Sequence, residues 1–389
     1  MRIVFTGGGT GGHVFPIIAV IRELKNYFSS SPSSILKDKT LEMFFIGPED
    51  SFSKELLEKE GVIVKTITAG KVRRYFTPKD FSKNISDLFF KTPAGILKSL
   101  KYLIQIRPGL IFSKGGYGSL PVVMAAKFLK IPIIVHESDT VPGLSNKAAL
   151  KFAKVILTAF PAENTEMSPE FRSKTICVGN PLRPELLGGN KQEGIKIFNI
   201  TQKKPILLIL GGSQGAQRIN HAVLEALKNI VELFEIVHQC GKDNEKELQD
   251  QAKLIFEKNP EMKKYYHLFG FLNEEQLKHA FKISNLVISR AGAGTIFEIL
   301  ANRLPSILIP LPEAAQQHQL KNAYYVQDRE AGIVIQESVL TPNYLIEKLR
   351  TLFSHADDFK AMAQKAKDLA KPDSAKTVAK IIIDFIQKS

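Results

Sequence analysis

Twice along the chain a short apolar run ends in a cluster of glycines and gives way to a helical stretch. Arg2–Thr6 runs into Gly7–Gly12, with a helix expected from about Val14 to Phe28. Pro205–Leu210 runs into Gly211-Gly212-Ser213-Gln214-Gly215, with a helix expected over Arg218–Leu233. A strand that turns directly into a helix returns to its sheet as a parallel neighbour. Further apolar runs at Leu41–Ile46, Leu110–Ser113, Ile131–His136, Val155–Thr158, Glu235–His238 and Leu286–Ile288 alternate with helical segments. This alternation predicts an α/β chain built on parallel sheets. At 389 residues the chain exceeds one compact core. The prolines of Gly179-Asn180-Pro181-Leu182-Arg183-Pro184, followed by the polar Gly188–Gly194, mark a linker. Two Rossmann-like domains, 1–180 and 181–370, with a cleft between them are expected.

Charge narrows the partners. Lys and Arg number 53 against 39 Asp and Glu, a net +14, which favours an anionic partner: nucleic acid, a membrane surface or a phosphorylated substrate. The basic excess lies in the first half. There Lys71–Arg107 interleaves cations with Tyr75, Phe76, Phe81, Phe89 and Phe90. The two cysteines, Cys177 and Cys240, offer neither a disulfide framework nor a cysteine zinc site. No signal-like stretch opens the sequence and no apolar run approaches the ~18 residues of a spanning helix, so a membrane would be met from outside.

The glycine turns carry the chemistry. Gly7-Gly8-Gly9-Thr10-Gly11-Gly12-His13 lets backbone approach a ligand at a helix start, where N–H groups and the positive dipole end receive anions. A nicotinamide site would need an acidic residue ending the next strand; Phe45-Ile46-Gly47-Pro48 stands there instead. Gly211-Gly212-Ser213-Gln214-Gly215 repeats the device, with Ser213 a phosphate ligand or a plain N-cap. Ser289-Arg290-Ala291-Gly292-Ala293-Gly294-Thr295-Ile296-Phe297-Glu298 is a third start. Its small residues suit a diphosphate, and Glu298 suits two ribose hydroxyls or simply the helix dipole. The amides of Gln316-Gln317-His318-Gln319 and Asn322 suit sugar hydroxyls. His136-Glu137-Ser138-Asp139 ends a strand. No Asp-x-Asp metal clamp, zinc motif or serine-nucleophile elbow is present.

In combination these motifs resemble the MurG family, bacterial peptidoglycan glycosyltransferases that add N-acetylglucosamine to lipid-linked muramyl-pentapeptide. The matching stretches are 7–16, 136–147, 179–183, 211–216, 290–295 with Glu298, and His318-Gln-x-x-Asn322-Ala323. The resemblance implies a GT-B architecture, two Rossmann-like domains with parallel sheets facing a deep cleft. It also implies a C-terminal helix (371–389) crossing back to the first domain. Val378, Ile381, Ile382, Phe385 and Ile386 form the stripe that could supply it. By motif position the UDP-N-acetylglucosamine donor would contact Thr10, Gly11, Gly12, Arg183, Ser213, Leu272, Ala293, Gly294, Thr295, Ile296, Phe297, Glu298 and Gln319. Asp139 stands where the family usually has an asparagine that contributes to donor binding. A carboxylate there would repel a diphosphate, so it could face a cation, a water or the acceptor instead.

The implied reaction is inverting attack by the muramyl 4-hydroxyl on the anomeric carbon, with neither metal nor cofactor. Helix starts would receive the charge of the departing UDP. His13 is the first candidate base, since a helix N-terminus favours neutral imidazole, and Glu137 the second. The implied setting is peripheral, on the cytoplasmic face of the bacterial inner membrane, through the Lys71–Arg107 patch. A cell-wall synthesis complex is the implied partner assembly; nucleic acid is not expected. A UDP-N-acetylglucosamine 2-epimerase and a non-catalytic membrane-recruiting subunit are the alternatives to this reading.

Overall fold

The computed structural model describes residues 1–8, 11–30, 41–70, 87–212 and 215–388. Of the residues expected to contact the donor, Thr10 and Ser213 lie outside the described residues, as do residues 31–40 and residues 71–86 of the expected basic patch. The chain divides into two units, Met1–Arg183 with Asp373–Ser389, and Pro184–Pro372.

In the first unit β1 (Arg2–Thr6), β2 (Glu42–Pro48), β3 (Ile63–Ile67), β4 (Leu110–Ser113), β5 (Ile133–Glu137), β6 (Val155–Thr158) and β7 (Thr175–Cys177) form one parallel sheet. Its order is β3-β2-β1-β4-β5-β6-β7. Alternate residues of one strand enter different cores. Ile3 and Phe5 pack with Leu110, Phe112, Ile134 and Leu157, whereas Val4 packs with Ile111, Ile133, Val135 and Ile156. Burial on both faces is why these strands read as unbroken apolar runs.

The second unit repeats the plan with β8 (Ile206–Leu210), β9 (Glu235–Gln239), β10 (Tyr266–Phe269), β11 (Leu286–Ser289), β12 (Ser306–Leu308) and β13 (Ile333–Val334). They are ordered β10-β9-β8-β11-β12-β13, again parallel. The single helix expected over 218–233 is two, Gln217–Glu225 and Leu227–Leu233, broken at Ala226.

The first helix runs from Gly11 to Ser30, three residues earlier than periodicity suggests, because Gly11 and Gly12 form its first turn instead of the preceding loop. The closing helix, Ser374–Lys388, buries Val378, Ala379, Ile382 and Ile383 in the same cluster as Ile17, Ile21 and Leu24 of that first helix. The three larger side chains, at about 1.5–3 kcal/mol each, suffice to hold it. Ser374 Oγ adds a 2.8 Å bond to Asn180 O. Inward-facing residues are thus shifted from the expected stripe: Ile381, Phe385 and Ile386 pack only partly buried at its margin.

Candidate active site

In the first unit β1 and β4 are neighbours whose onward connections diverge, the switch point where open parallel sheets bind ligands. Gly7-Gly8 leave β1 and Lys114-Gly115-Gly116 leave β4. The two turns interlock. Gly116 has φ +81°, and a Cβ there would sit 2.7 Å from Gly8 Cα and 3.1 Å from His13 Nε2, so only glycine fits. His13, third residue of the first helix, thus has its ring lodged against the backbone of both turns.

Glu137 ends β5 and is buried. Its Oε1 accepts from Asp139 N at 3.0 Å, and its Oε2 from Gly143 N at 3.2 Å and Asn146 Nδ2 at 2.8 Å. These bonds fold the 138–146 loop around the carboxylate, so Glu137 is built as a loop anchor. Burial, and then the Asp139 charge, push its carboxyl up to about 7; the donated hydrogen bonds and Lys114 pull the other way. A raised folded-state value means the stabilising contribution is complete below the ordinary 4.5 and is lost as pH rises through about 7. Glu137→Gln should therefore gain Tm relative to the parent as pH goes from 5 to 8. A difference in Tm that does not change with pH would refute this.

Beside it Lys114 is almost wholly buried. Its ammonium donates to His136 Nδ1 at 3.0 Å, to Asn180 Oδ1 at 3.1 Å and to Ser138 Oγ. His136 Nε2 lies 2.9 Å from Gly179 O. Burial and Lys114 hold His136 well below its usual range, so the ring is neutral, accepting at Nδ1 and donating at Nε2. Burial lowers Lys114 itself to about 8, against the pull of Glu137 and Asp139. Arg183, also buried, stacks its guanidinium 4.3 Å above the Phe15 ring on the first helix.

In the second unit the switch point falls between β8 and β11. Gly211-Gly212 leave β8. Gly215, at φ +76°, would place a Cβ 2.3 Å from Cys240 O, which makes glycine obligatory there. Arg290-Ala291-Gly292 leave β11, and the helix Ala293–Ala301 begins at once. The N–H groups of Ala293, Gly294 and Thr295 have no partner within that helix. That of Ile296 bonds Gly292 O at 3.0 Å. Ile296 and Phe297, expected among the nucleotide contacts, bury their side chains in the core and anchor the helix. Glu298 follows one turn on, half-buried. Leu272 is also buried, whereas its neighbour Phe271 is exposed.

Gln319 opens the helix His318–Gln327 and accepts from Leu311 N at 3.0 Å, fastening the preceding turn. In that turn Gln316 and Gln317 both adopt left-handed φ, 56° and 55°. Strain of about 1–3 kcal/mol at each non-glycine residue persists only where surroundings impose it, and it concentrates at functional sites. Asn322, fully buried, reaches Ala291 O at 3.4 Å and ties the β11 turn to the same helix.

Sequence reasoning passed over Lys114-Gly115-Gly116. The signal was there, since Leu110–Ser113 also runs into glycines. It passed over Glu337 too, for which the sequence carries no signal. Among the described residues no three His, Cys, Asp or Glu side chains gather as metal ligands would.

Two doubly wound units, each with a glycine turn at its switch point, define a GT-B type nucleotide-sugar glycosyltransferase fold, and the comparisons with known proteins agree. Residues 3–158 match the glycosyltransferase family 28 N-terminal domain and residues 206–378 its C-terminal domain. The chain is 38% identical over 367 residues to the UDP-N-acetylglucosamine–N-acetylmuramyl-(pentapeptide) pyrophosphoryl-undecaprenol N-acetylglucosamine transferase of Clostridium botulinum (strain Hall), covering 94% of this chain and 95% of that protein. The chain belongs to this transferase family, MurG. The crystal structure of Acinetobacter baumannii MurG is similar with a TM-score of 0.72 at 25% identity, covering 100% of this chain and 99% of that one. UDP-GlcNAc 2-epimerase from Neisseria meningitidis, solved bound to UDP-GlcNAc, has a TM-score of 0.67 at 15% identity, with full coverage of both chains, a likeness of fold alone.

Proposed function

We propose that the protein transfers N-acetylglucosamine from UDP-N-acetylglucosamine to lipid-linked N-acetylmuramyl-pentapeptide, with inversion and without a metal. The observation that carries this is the 38% identity to a transferase of that name across 94% of the chain. The epimerase reading has only a shared fold behind it. The second unit holds the donor. The first-turn N–H groups of Ala293, Gly294 and Thr295 receive the diphosphate, Glu298 the ribose, and Gln319 with its neighbouring amides the sugar. The first unit supplies His13 as base, with Glu137 shaping the loop beside it and Arg183 and the Gly11–Gly12 turn assisting the donor. As UDP departs, oriented N–H dipoles stabilise the charge that grows on its diphosphate. Purified protein given labelled UDP-N-acetylglucosamine should form a disaccharide only when a lipid-linked muramyl acceptor is present. Acceptor-independent conversion to labelled UDP-N-acetylmannosamine, or with water to N-acetylmannosamine and UDP, would establish the epimerase instead.

The setting we propose is the cytoplasmic face of the inner membrane, held peripherally. On the helix Thr92–Ile106 and the turn before it, Phe89, Phe90, Leu97 and Ile104 are each more than half exposed. Lys91, Lys98 and Lys101 share that surface. An outward apolar stripe with lysines beside it suits an anionic bilayer. No helix among the described residues is long and apolar enough to cross a membrane. Each lysine near the surface contributes about 1 kcal/mol, and each inserted aromatic or leucine about 1.5–3 kcal/mol. Phe90→Asp with Leu97→Asp should therefore lower sedimentation with anionic vesicles at least tenfold, and parental binding should weaken with salt. Undiminished binding by the double variant would move the contact elsewhere.

A further inference from the structure

One buried carboxylate joins the two glycine-led helix starts of the second unit. Glu337 lies just after β13, its side chain 2% exposed. One of its oxygens meets Arg218 Nη1 and the other Arg290 Nη1. Arg290 immediately precedes the turn into the helix Ala293–Ala301, and it also donates to Ile309 O at 3.3 Å. Arg218 is the second residue of the helix Gln217–Glu225, which follows the Gly211–Gly215 turn. Its other nitrogen reaches Glu313 Oε1, 3.4 Å away, in the strained segment before Gln319.

We infer that Glu337 is a positioning residue for the donor's diphosphate, fixing the two helix starts relative to each other through Arg290 and Arg218. This rests on the proposed donor site and deepens it. The physical ground is geometric. A helix start binds an anion only if its N–H groups converge on one point, and the β8 and β11 turns are separate segments that nothing covalent aligns. A carboxylate gripping a guanidinium from each fixes their spacing, and charge-assisted bonds make the grip stiff. Arg290 is mostly buried, at 16% side-chain exposure, so without Glu337 its charge would lose its partner and pull the β11 turn toward solvent. Arg218, 62% exposed, can relax into water, which makes Arg290 the sensitive side of the bridge.

The test is calorimetric titration of the full chain with UDP and, separately, with uridine, in the parent, Glu337→Gln, Arg218→Gln and the double variant. With the bridge between the two helix starts gone, Glu337→Gln should raise the UDP dissociation constant on the order of tenfold. Uridine, which lacks the diphosphate, should bind parent and variant alike. Arg218→Gln should weaken UDP less, and the double variant should be no worse than Glu337→Gln alone. Equal losses for UDP and uridine, or an unchanged UDP constant with a lowered Tm, would overturn the inference and leave Glu337 a structural ion pair. Should Glu337→Gln fail to fold, Arg218→Gln must still weaken UDP and spare uridine, or the inference falls. A parent that binds uridine and UDP equally would overturn the donor reading itself.

Discussion

His13→Ala is expected to lower kcat by about 10²–10⁴ at saturating donor and acceptor, the usual cost of losing a positioned base. The same change should remove the acidic limb of the pH–rate profile, because a base must be unprotonated to act. The expectation comes from where the ring sits. It projects from the third residue of the first helix, at the positive end of the dipole, which disfavours the imidazolium form. Its nitrogens lie beside the backbone of Gly8 and Gly116, at the switch point of the sheet. Glu137, the other candidate, spends its oxygens on Asp139, Gly143 and Asn146. Steady-state kinetics with both substrates varied would decide the matter. If kcat stays near parental and only the donor KM rises, His13 is a binding group and the proton has another acceptor.

Glu298→Ala should weaken UDP binding by about 2–4 kcal/mol, two charge-assisted hydrogen bonds partly replaced by water. The residue stands one turn beyond the Ala293–Thr295 start on a helix anchored by Ile296 and Phe297, so its backbone is fixed relative to those first-turn N–H groups. A donor with 2′-deoxyribose should lose affinity for the parent but much less for the variant. Equal losses in both proteins would show that Glu298 serves the helix dipole and not the ribose.

Much of the fold was legible because interior strands of a parallel sheet are buried on both faces. β1, β4, β6, β8, β9 and β11 all read as short apolar runs for that reason. β3, β7, β10 and β13 were passed over, and they are the four edge strands. An edge needs fewer apolar residues: β3 carries Lys65 and Thr66, and β13 has only two residues. β12 was missed as well, an interior strand whose three residues are too short to show a period.

The sequence by itself determined the class of fold and three of the glycine turns that follow its strands, those at 7–12, 211–215 and 290–294. Strand patterning and turn chemistry are local, written within a few neighbouring positions. What only the tertiary structure decided is which of those residues are partners. Lys114 meets Asn180, 66 positions away, and Arg218 meets Glu337, 119 positions away. Those meetings join segments that follow different strands of one sheet, β4 with β7 and β8 with β13, and the strand order is set only once the sheets are assembled. Glu337 is the case in point: nothing near it in sequence marks it, yet it bonds both Arg218 and Arg290. A side chain's chemistry depends on what its oxygens touch, and contacts of that range have no local signature.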